Sequence, residues 1–331
     1  MAVAPDTGPV PKLIDLPEPE VQQGEVLVEG LLVGVCATDR AVIEEASQLS
    51  DRIVLGHESL GRVVAAPEGA ELANGDLVVG LIRRPCPEGC RSCLAGELDR
   101  CLTRPPVERG ISRADGFAAE LWTSLPDYLC QVPAALGEAG VLIEPASSIV
   151  KGLRRVRRGR PADFPTAALV IGGGTIGALV AAFLAVEGVA VDLSDPFAPQ
   201  RRQLVEDLGG RFLTGPPAPG AYELVVEASG APEGLDIALA AVGSLGHVLV
   251  LGLPHAPVAA TVPATRLAMD EVEVTFSVNA TRADHETAIA LLGKIEPRLL
   301  ARLMERELPL ERYEEALVPG DSPKTVVRVA R

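Results

Sequence analysis

The chain has 331 residues, of which 47% are hydrophobic and 3% aromatic, and its formal net charge at pH 7 is −15. The negative charge argues against nucleic acid or an anionic membrane as a partner, because both would repel the surface. No apolar run is long enough to span a bilayer, and the proline-rich start lacks the basic region of a signal peptide, so we expect a cytoplasmic protein. The length favours two domains with aliphatic cores.

The first third of the sequence contains short strands and turns without alternating helices, which predicts a β-rich domain. Strands are predicted at 24–35, 53–55, 61–64 and 77–79. The first predicted helix covers 147–156, where the pattern changes.

Residues 167–276 alternate strands with helices, which predicts a doubly wound parallel sheet. The predicted strands are 167–171, 189–194, 224–227, 247–252 and 272–276, with helices at 178–186, 198–208 and 232–241. A helix at 285–300 and a strand at 325–329 are predicted to return to the first domain. The predicted fold class is therefore α/β, with one domain at 1–153, completed by 282–331, and a second at 154–281.

A Gly-x-Gly-x-x-Gly pattern follows the apolar run at 167–171 and is formed by Gly172, Gly174 and Gly177, with Thr175 and Ile176 between the last two. Gly172 would permit a tight turn, Gly174 would let the backbone approach a pyrophosphate, and Gly177 would let the helix pack on the strand. The helix N-terminus would then offer free N–H groups to the phosphates. The pattern predicts a dinucleotide site of the Rossmann type, the alternative being a turn without a ligand.

An acidic residue about twenty positions after the glycines usually binds the ribose hydroxyl in such a site. Asp195 has this position, and its charge would repel a 2′-phosphate, so NAD is predicted with NADP as the alternative. Arg201 and Arg202 lie close enough in the sequence to favour the alternative, or they are helix-surface charges.

Four of the six cysteines fall within sixteen positions in the pattern Cys-x3-Cys-x2-Cys-x7-Cys and are Cys86, Cys90, Cys93 and Cys101. Four thiolates on a polar, turn-rich segment can surround one zinc ion without an open position, which predicts a structural zinc site. Cys130, alone in an apolar stretch, is interpreted as a core residue.

A second set of possible metal ligands is dispersed along the sequence and consists of Cys36, His57, Glu58 and Glu144. Each residue also fits a purely structural role, such as a core thiol or a hydrogen-bonded histidine. Composition and spacing leave both interpretations open.

Several motifs resemble those of the zinc-dependent medium-chain alcohol and polyol dehydrogenases. They are Gly34-Val35-Cys36-Ala37-Thr38-Asp39, Gly56-His57-Glu58 and the four-cysteine segment. Further stretches resemble the glucose dehydrogenase branch and include Arg83-Arg84-Pro85-Cys86, Glu108-Arg109-Gly110-Ile111, Leu142-Ile143-Glu144-Pro145 and Ser277-Val278-Asn279. The resemblance implies a GroES-like β-rich catalytic domain, a Rossmann domain and a cleft between them.

The resemblance also implies roles for individual residues. Cys36 and His57 would bind a catalytic zinc, with Glu58 and Glu144 as the carboxylates of that site. Asp39 would orient His57 and Thr38 would hydrogen-bond the reacting hydroxyl. The substrate set implied is Thr38, Glu108, Ser148, Asn279 and His285, and the cofactor set is Gly172, Gly174, Thr175, Ile176, Gly177, Asp195, Arg201, Ser229, Gly252, Ser277, Val278 and Asn279.

The sequence departs from the family pattern at several of these positions. Ala41 stands where many members have a proton-relay histidine or a glutamate, Ile82 where glucose dehydrogenases have asparagine, and Ser148 where they have aspartate. His285 is displaced by one position from the usual histidine. An apolar Ile82 cannot hydrogen-bond a sugar hydroxyl, which weakens the expectation of glucose itself.

We therefore predict a zinc-dependent enzyme that transfers hydride from a secondary alcohol of a sugar, polyol, cyclitol or modified sugar to NAD(P)+. One alternative is a glucose 1-dehydrogenase proper, and another is a non-catalytic NAD-binding regulatory protein that retains the structural zinc. A zinc-free quinone-type reductase and a four-cysteine nucleic-acid module fit the ligands and the charge less well. The family leads us to expect a homodimer or homotetramer.

Overall fold

The computed structural model describes residues 1–4, 10–49, 51–159, 164–253 and 259–329. Up to residue 159, short strands predominate and three helices occur. The strands are β1 (Ala2–Val3), β2 (Val26–Val35), β3 (Ile53–Val54), β4 (Glu58–Ala65), β5 (Leu77–Gly80), β6 (Arg83–Arg84), β7 (Val107–Arg109), β8 (Arg113–Ala114), β9 (Leu121–Ser124) and β10 (Leu129–Val132). The helices are α1 (Ala37–Glu44), α2 (Arg91–Leu94) and α3 (Ile143–Gly159).

Strands and helices alternate in the second half of the chain. The strands are β11 (Ala167–Ile171), β12 (Ala190–Ser194), β13 (Gly210–Phe212), β14 (Tyr222–Glu227), β15 (Val242–Val250), β16 (Glu273–Phe276), β17 (Arg306–Pro309) and β18 (Thr325–Arg328). The helices are α4 (Thr175–Val186), α5 (Arg202–Asp207), α6 (Gly234–Ala241), α7 (Ala264–Met269), α8 (Arg282–Leu292), α9 (Pro297–Leu303) and α10 (Tyr313–Ala316).

The first large sheet has the order β10-β5-β4-β2-β18-β17, with β9 also paired to β2. Strand β2 alternates buried and half-buried residues in its first half and is buried in its second half, as expected for a central strand. The core beneath it contains Phe117 and Trp122, whose ring centroids lie 4.7 Å apart in an edge-on arrangement. Because β18 pairs with β2, the end of the described chain completes this sheet.

The second large sheet is parallel throughout and has the order β13-β12-β11-β14-β15-β16. Strand β11 is central and almost fully buried, because its apolar residues face helices on both sides of the sheet. Chain order reverses on either side of β11, and the carboxyl ends of β11 and β14 flank this switch point. Ligands of open α/β sheets bind at this place.

The observed elements confirm the predicted fold class and differ from the prediction in detail. Helix α1 and strand β13 were not expected, and β15 begins five residues before the predicted strand. The predicted helix at 285–300 is wrong as one helix, because it consists of α8 and α9 with Pro297 at the start of the second. Proline cannot donate the hydrogen bond that a continuous helix would need.

Helix α3 is longer than predicted and runs across the predicted domain boundary at 153/154. The division into 1–153 with 282–331 and 154–281 therefore stays a prediction. Within the described ranges, no helix has both the length and the hydropathy required to cross a bilayer.

Candidate active site

Cys36 directly follows β2 and caps the N-terminus of α1. Its sulfur accepts a hydrogen bond from the Thr38 amide at 3.2 Å, and the Asp39 carboxylate accepts one from the Cys36 amide at 2.8 Å. This reciprocal pair is a capping box, with Cys36 in the place usually taken by serine or threonine. The cap thus fixes the Cys36 sulfur at the N-terminus of α1, beside the end of β2.

His57 lies between Cys36 and Asp39 and is buried. Its Nε2 is 3.2 Å from the Cys36 sulfur, and its Nδ1 is 3.4 Å from Asp39 Oδ1, within ion-pair range but without hydrogen-bond geometry. Burial acts to lower the pKa of His57, but the charges of Asp39 and Cys36 outweigh it and raise that pKa well above its usual value. Tyr313, fully buried, donates to the same Asp39 oxygen at 3.3 Å.

Glu58 is held by a residue that sequence reasoning missed. Lys324 Nζ donates to both carboxylate oxygens of Glu58 at 2.6 and 2.5 Å, and it lies 3.4 Å from the Val35 carbonyl oxygen. Both side chains are buried. Burial acts to lower the pKa of Lys324, and the charge of Glu58 more than compensates, so that the pKa is raised.

Glu144 lies in the first turn of α3 and is buried near the same groups. Burial raises its pKa to about 7, the charge of His57 acts to lower it, and the charge of Glu58 raises it further. Glu144 thus interacts electrostatically with His57 and Glu58, but its carboxylate is not among the donor atoms that lie within 4.8 Å of one another in the described residues.

Two groups of side chains in the described residues offer metal-binding atoms within 4.8 Å of one another: Cys36, His57 and Glu58, and the four cysteines Cys86, Cys90, Cys93 and Cys101. The first group mixes thiolate, imidazole and carboxylate donors, which zinc accepts while keeping an open position. The second offers four sulfurs, the donor set of a closed structural site. The backbone amide of Leu102 donates to the Cys90 sulfur, and such bonds lower the pKa of Cys90 to about 6.

The loop between β11 and α4 requires glycine at two of its three motif positions. Gly172 has a φ of 98°, and a Cβ atom at Gly177 would lie 1.8 Å from the Gly172 carbonyl oxygen. A Cβ at Gly174, by contrast, would meet no atom within 4 Å. Gly174 therefore faces open space at the helix N-terminus, where a pyrophosphate would fit.

A cavity of about 870 Å³ opens beside this loop and is lined by residues that include Gly172, Asp195, Arg202 and Ser229. Asp195 Oδ2 accepts a hydrogen bond from the Gly173 amide at 2.8 Å, so its carboxylate is fixed against the loop. Arg201 does not line the cavity and donates to the carbonyl oxygens of Gly173, Gly320 and Asp321. Thr175, also predicted to bind cofactor, donates through its hydroxyl to the Pro323 carbonyl at 2.7 Å.

Glu227, which sequence reasoning missed, organises the turn after β14. Its Oε1 accepts from the amides of Ser229 and Gly230 at 2.8 and 3.1 Å and from the Ser229 hydroxyl. A Cβ at Gly252 would lie 2.3 Å from the Gly230 amide nitrogen, so Gly252 packs against the same turn. The signal available in the sequence was an acidic residue at the end of an apolar predicted strand, where it could have been assigned to the following turn.

The segment after β16 carries the residues predicted for the nicotinamide end. The Ser277 amide donates to the Val250 carbonyl at 3.1 Å, while the buried Ser277 hydroxyl has no hydrogen-bond partner among the described residues. The Val278 carbonyl accepts from Lys151, and Asn279 has a φ of 59°. An orphaned hydroxyl and a left-handed asparagine indicate a segment shaped for a ligand.

The predicted substrate residues Glu108, Ser148 and His285 each have a different kind of partner in the structure. Glu108 forms a buried ion pair with Arg83 at 3.0 Å, and the Ser148 hydroxyl donates to the Pro145 carbonyl at 2.8 Å. His285 is buried between α8 and α3, with Nδ1 2.9 Å from the Thr281 carbonyl oxygen and Nε2 3.5 Å from the Ser147 hydroxyl. Burial lowers the pKa of His285. The substrate contacts of these three residues stay predictions.

Family models and curated relatives match this chain over most of its length. Residues 137–329 match the family model described as glucose dehydrogenase C-terminus, and 22–134 match the alcohol dehydrogenase GroES-like domain. The glucose 1-dehydrogenase of Thermoproteus tenax is 36% identical, with 96% of this chain and 95% of that protein covered. The one from Methanocella arvoryzae is 33% identical, with 99% and 98% covered.

Solved structures show the same relationship. The glucose dehydrogenase of Haloferax mediterranei, in complex with NADP, Zn and gluconolactone, superposes with a TM-score of 0.88 at 29% identity, covering 100% of this chain and 99% of that one. The predicted fold class, a GroES-like part with a Rossmann sheet, is confirmed. The chain belongs to the glucose dehydrogenase branch of the zinc-dependent medium-chain dehydrogenases.

Proposed function

We propose that this chain oxidises a secondary hydroxyl of a sugar, polyol, cyclitol or modified sugar and transfers the hydride to NAD(P)+, using zinc. The observation that carries the proposal is the cluster of Cys36, His57 and Glu58 donor atoms within 4.8 Å of one another. Three protein donors leave one position of a tetrahedral site open to substrate. Membership of the zinc-dependent medium-chain dehydrogenases supports an NAD(P)-linked dehydrogenase activity.

The proposed roles follow from the contacts of each residue. Cys36 and His57 would hold the zinc, and the chemistry that zinc supplies is polarisation of the substrate hydroxyl, which lowers the pKa of its proton. Asp39 would keep His57 Nε2 directed at the metal. Because Lys324 engages both oxygens of Glu58, that carboxylate would be the most readily exchanged of the three donors. Thr38, next to the cap of α1, would accept or donate a hydrogen bond at the reacting hydroxyl.

The cofactor would bind across the carboxyl ends of β11 and β14. Gly174 would admit the pyrophosphate, and Asp195 would face the ribose, which favours NAD. Arg202 lines the same cavity and supports NADP as the alternative, as does the NADP bound to the Haloferax mediterranei enzyme. The two nucleotides are distinguished by comparing kcat/KM with NAD+ and with NADP+.

A glucose 1-dehydrogenase proper is the second candidate, supported by the curated relatives and by Glu108, which is retained. Ile82 is buried beside the Arg83–Glu108 pair and cannot hydrogen-bond a hydroxyl. A screen of sugars, polyols, cyclitols and amino-sugars with both cofactors tests the two candidates. If glucose gives the highest kcat/KM, our interpretation of Ile82 and Ser148 is wrong.

A non-catalytic protein is the rival of another class. The retained catalytic donors Cys36, His57 and Glu58 argue against it. Metal analysis decides between the two, since the enzyme should bind about two zinc ions per chain and the rival about one.

Assembly and location belong to the same proposal. Strand β16 is a free edge of the described parallel sheet, and Phe276 and Val274 on it are exposed, which supports a homodimer or homotetramer formed through this edge. Light scattering coupled to size exclusion measures the state. A cytoplasmic location is supported by the free cysteines, four of which we propose as zinc ligands.

A further inference from the structure

Helix α3 carries a buried cation that the proposed chemistry does not use. Lys151 Nζ lies 2.8 Å from Asp99 Oδ2, and the two side chains are 10% and 6% exposed. The same Nζ donates to the Val278 carbonyl oxygen at 3.0 Å. Lys151 thus contacts the four-cysteine segment on one side, since Asp99 lies between Cys93 and Cys101, and the segment after β16 on the other.

Besides Lys151, the Ser277 amide holds this segment by donating to the Val250 carbonyl oxygen. The Val278 side chain is exposed, the Ser277 hydroxyl lacks a partner within the part of the chain that the structure describes, and Asn279 adopts a left-handed backbone conformation. Arg155, on the same helix, donates to the Phe276 carbonyl. Two basic residues of α3 therefore fix two carbonyl oxygens of this segment.

The energetics favour Asp99 as the group that keeps Lys151 in place. A buried ammonium is stable only when it is paired and hydrogen-bonded, and removing its counter-ion leaves an uncompensated charge. Hydrogen bonds from charged donors are also stronger than neutral ones. Asp99, Lys151 and the Val278 carbonyl form a continuous polar connection, which links the four-cysteine segment to the residues after β16.

We propose that Lys151 is a positioning residue for the nicotinamide end of the cofactor and that the four-cysteine segment supports cofactor binding through Asp99. The inference rests on the proposed function, because it takes Ser277, Val278 and Asn279 as the nicotinamide contacts. It gives the structural zinc site a role in the reaction besides stability.

The test compares two ligands that differ only at the nicotinamide end. Binding of NADH and ADP-ribose, or of NADPH and 2′-phospho-ADP-ribose if the wild type prefers NADP, is measured by fluorescence and calorimetry without substrate. In Lys151→Met and in Asp99→Asn, the reduced cofactor should bind about tenfold more weakly, as for loss of one charged hydrogen bond. The nicotinamide-free ligand should bind as in wild type. Lys151→Arg should recover part of the loss.

Arg157→Met is the matched control, because Arg157 lies on the same helix, pairs with Glu187 and stacks on Phe164 without touching 276–279. It should leave both affinities unchanged. Equal loss of both ligands in the Lys151 and Asp99 variants, or no loss of either, would overturn the positioning role. If Lys151→Met fails to fold, Asp99→Asn carries the test. A wild-type protein that binds neither ligand would overturn the proposed function itself, a result distinct from the other two.

Discussion

Lys324 Nζ donates to both carboxylate oxygens of Glu58, at 2.6 and 2.5 Å, in a site from which solvent is excluded. The two residues lie 266 positions apart in the sequence. The pair joins the loop before β18 to the first residue of β4, beside Cys36 and His57. We therefore expect the Lys324–Glu58 pair to affect both the first sheet and the proposed metal site.

Replacement of Lys324 by methionine should lower the free energy of unfolding by about 3–5 kcal/mol, because Glu58 would be left as an uncompensated buried charge. Denaturant unfolding of the purified protein measures the change. The double variant Lys324→Met, Glu58→Gln should recover much of the loss, since no buried charge remains. Arg312→Met, which breaks an exposed pair with Glu315, should change the stability by less than about 1 kcal/mol. A double variant as unstable as the single one would contradict this account.

Replacement of Cys36 by serine or of His57 by alanine should reduce kcat by about 10³-fold or more, because the polarising metal is lost from the site. The reduced cofactor should still bind, since the glycine loop is unchanged, and fluorescence titration checks this. Cys130→Ala changes a buried thiol outside both metal-binding groups and serves as the control. Near wild-type turnover in Cys36→Ser would contradict the assignment of Cys36 as a ligand of the catalytic metal.

The glycine loop offers a matched pair of substitutions. Gly177→Ala should destabilise the protein, because its Cβ would lie 1.8 Å from the Gly172 carbonyl oxygen. Gly174→Ala should leave the melting temperature unchanged, since its Cβ meets nothing within 4 Å. It should nevertheless weaken cofactor binding by about tenfold, because it blocks the approach of the pyrophosphate. Unchanged cofactor affinity in Gly174→Ala would place the phosphates elsewhere.

Asp284 should make the stability pH-dependent. Burial acts to raise its pKa, but hydrogen bonds from Arg154 and Thr281 lower it below its usual value. A carboxyl whose folded pKa is depressed stabilises the protein above its unfolded pKa of about 3.9, and this contribution is lost as pH falls through the folded pKa. The stability difference between wild type and Asp284→Asn should therefore be largest near neutral pH and shrink below about pH 4. Glu296→Gln, which removes an exposed partner of Arg298, should show no such trend.

Local patterns sufficed to predict the parts of the site that are continuous in the sequence. The glycines at 172–177 and the four cysteines are each encoded within sixteen positions, and their backbone requirements are visible from residue type alone. Cys36 and His57 could be joined only through the family resemblance, because 21 positions separate them.

The partners of these residues could not be predicted from sequence. Lys324, Tyr313 and Lys151 are ordinary residues in their local context, and their contacts arise from the pairing of distant segments. The break between α8 and α9 was missed for a different reason, since the apolar periodicity continues through Pro297. Buried counter-ions of this kind become visible only when the fold is known.

Strand β18 lies between β2 and β17, in the interior of the first sheet. Val35 at the end of β2 and Lys324 just before β18 lie side by side, although they are 289 positions apart in the sequence. The parallel sheet, in contrast, is built from one uninterrupted segment at 167–276. During synthesis on a ribosome, the parallel sheet can therefore fold first. The first sheet cannot be completed until β18 has emerged. A chain arrested before that point would leave residues 32–35 of β2 without the strand that pairs with them, and this intermediate is where chaperone protection would matter most.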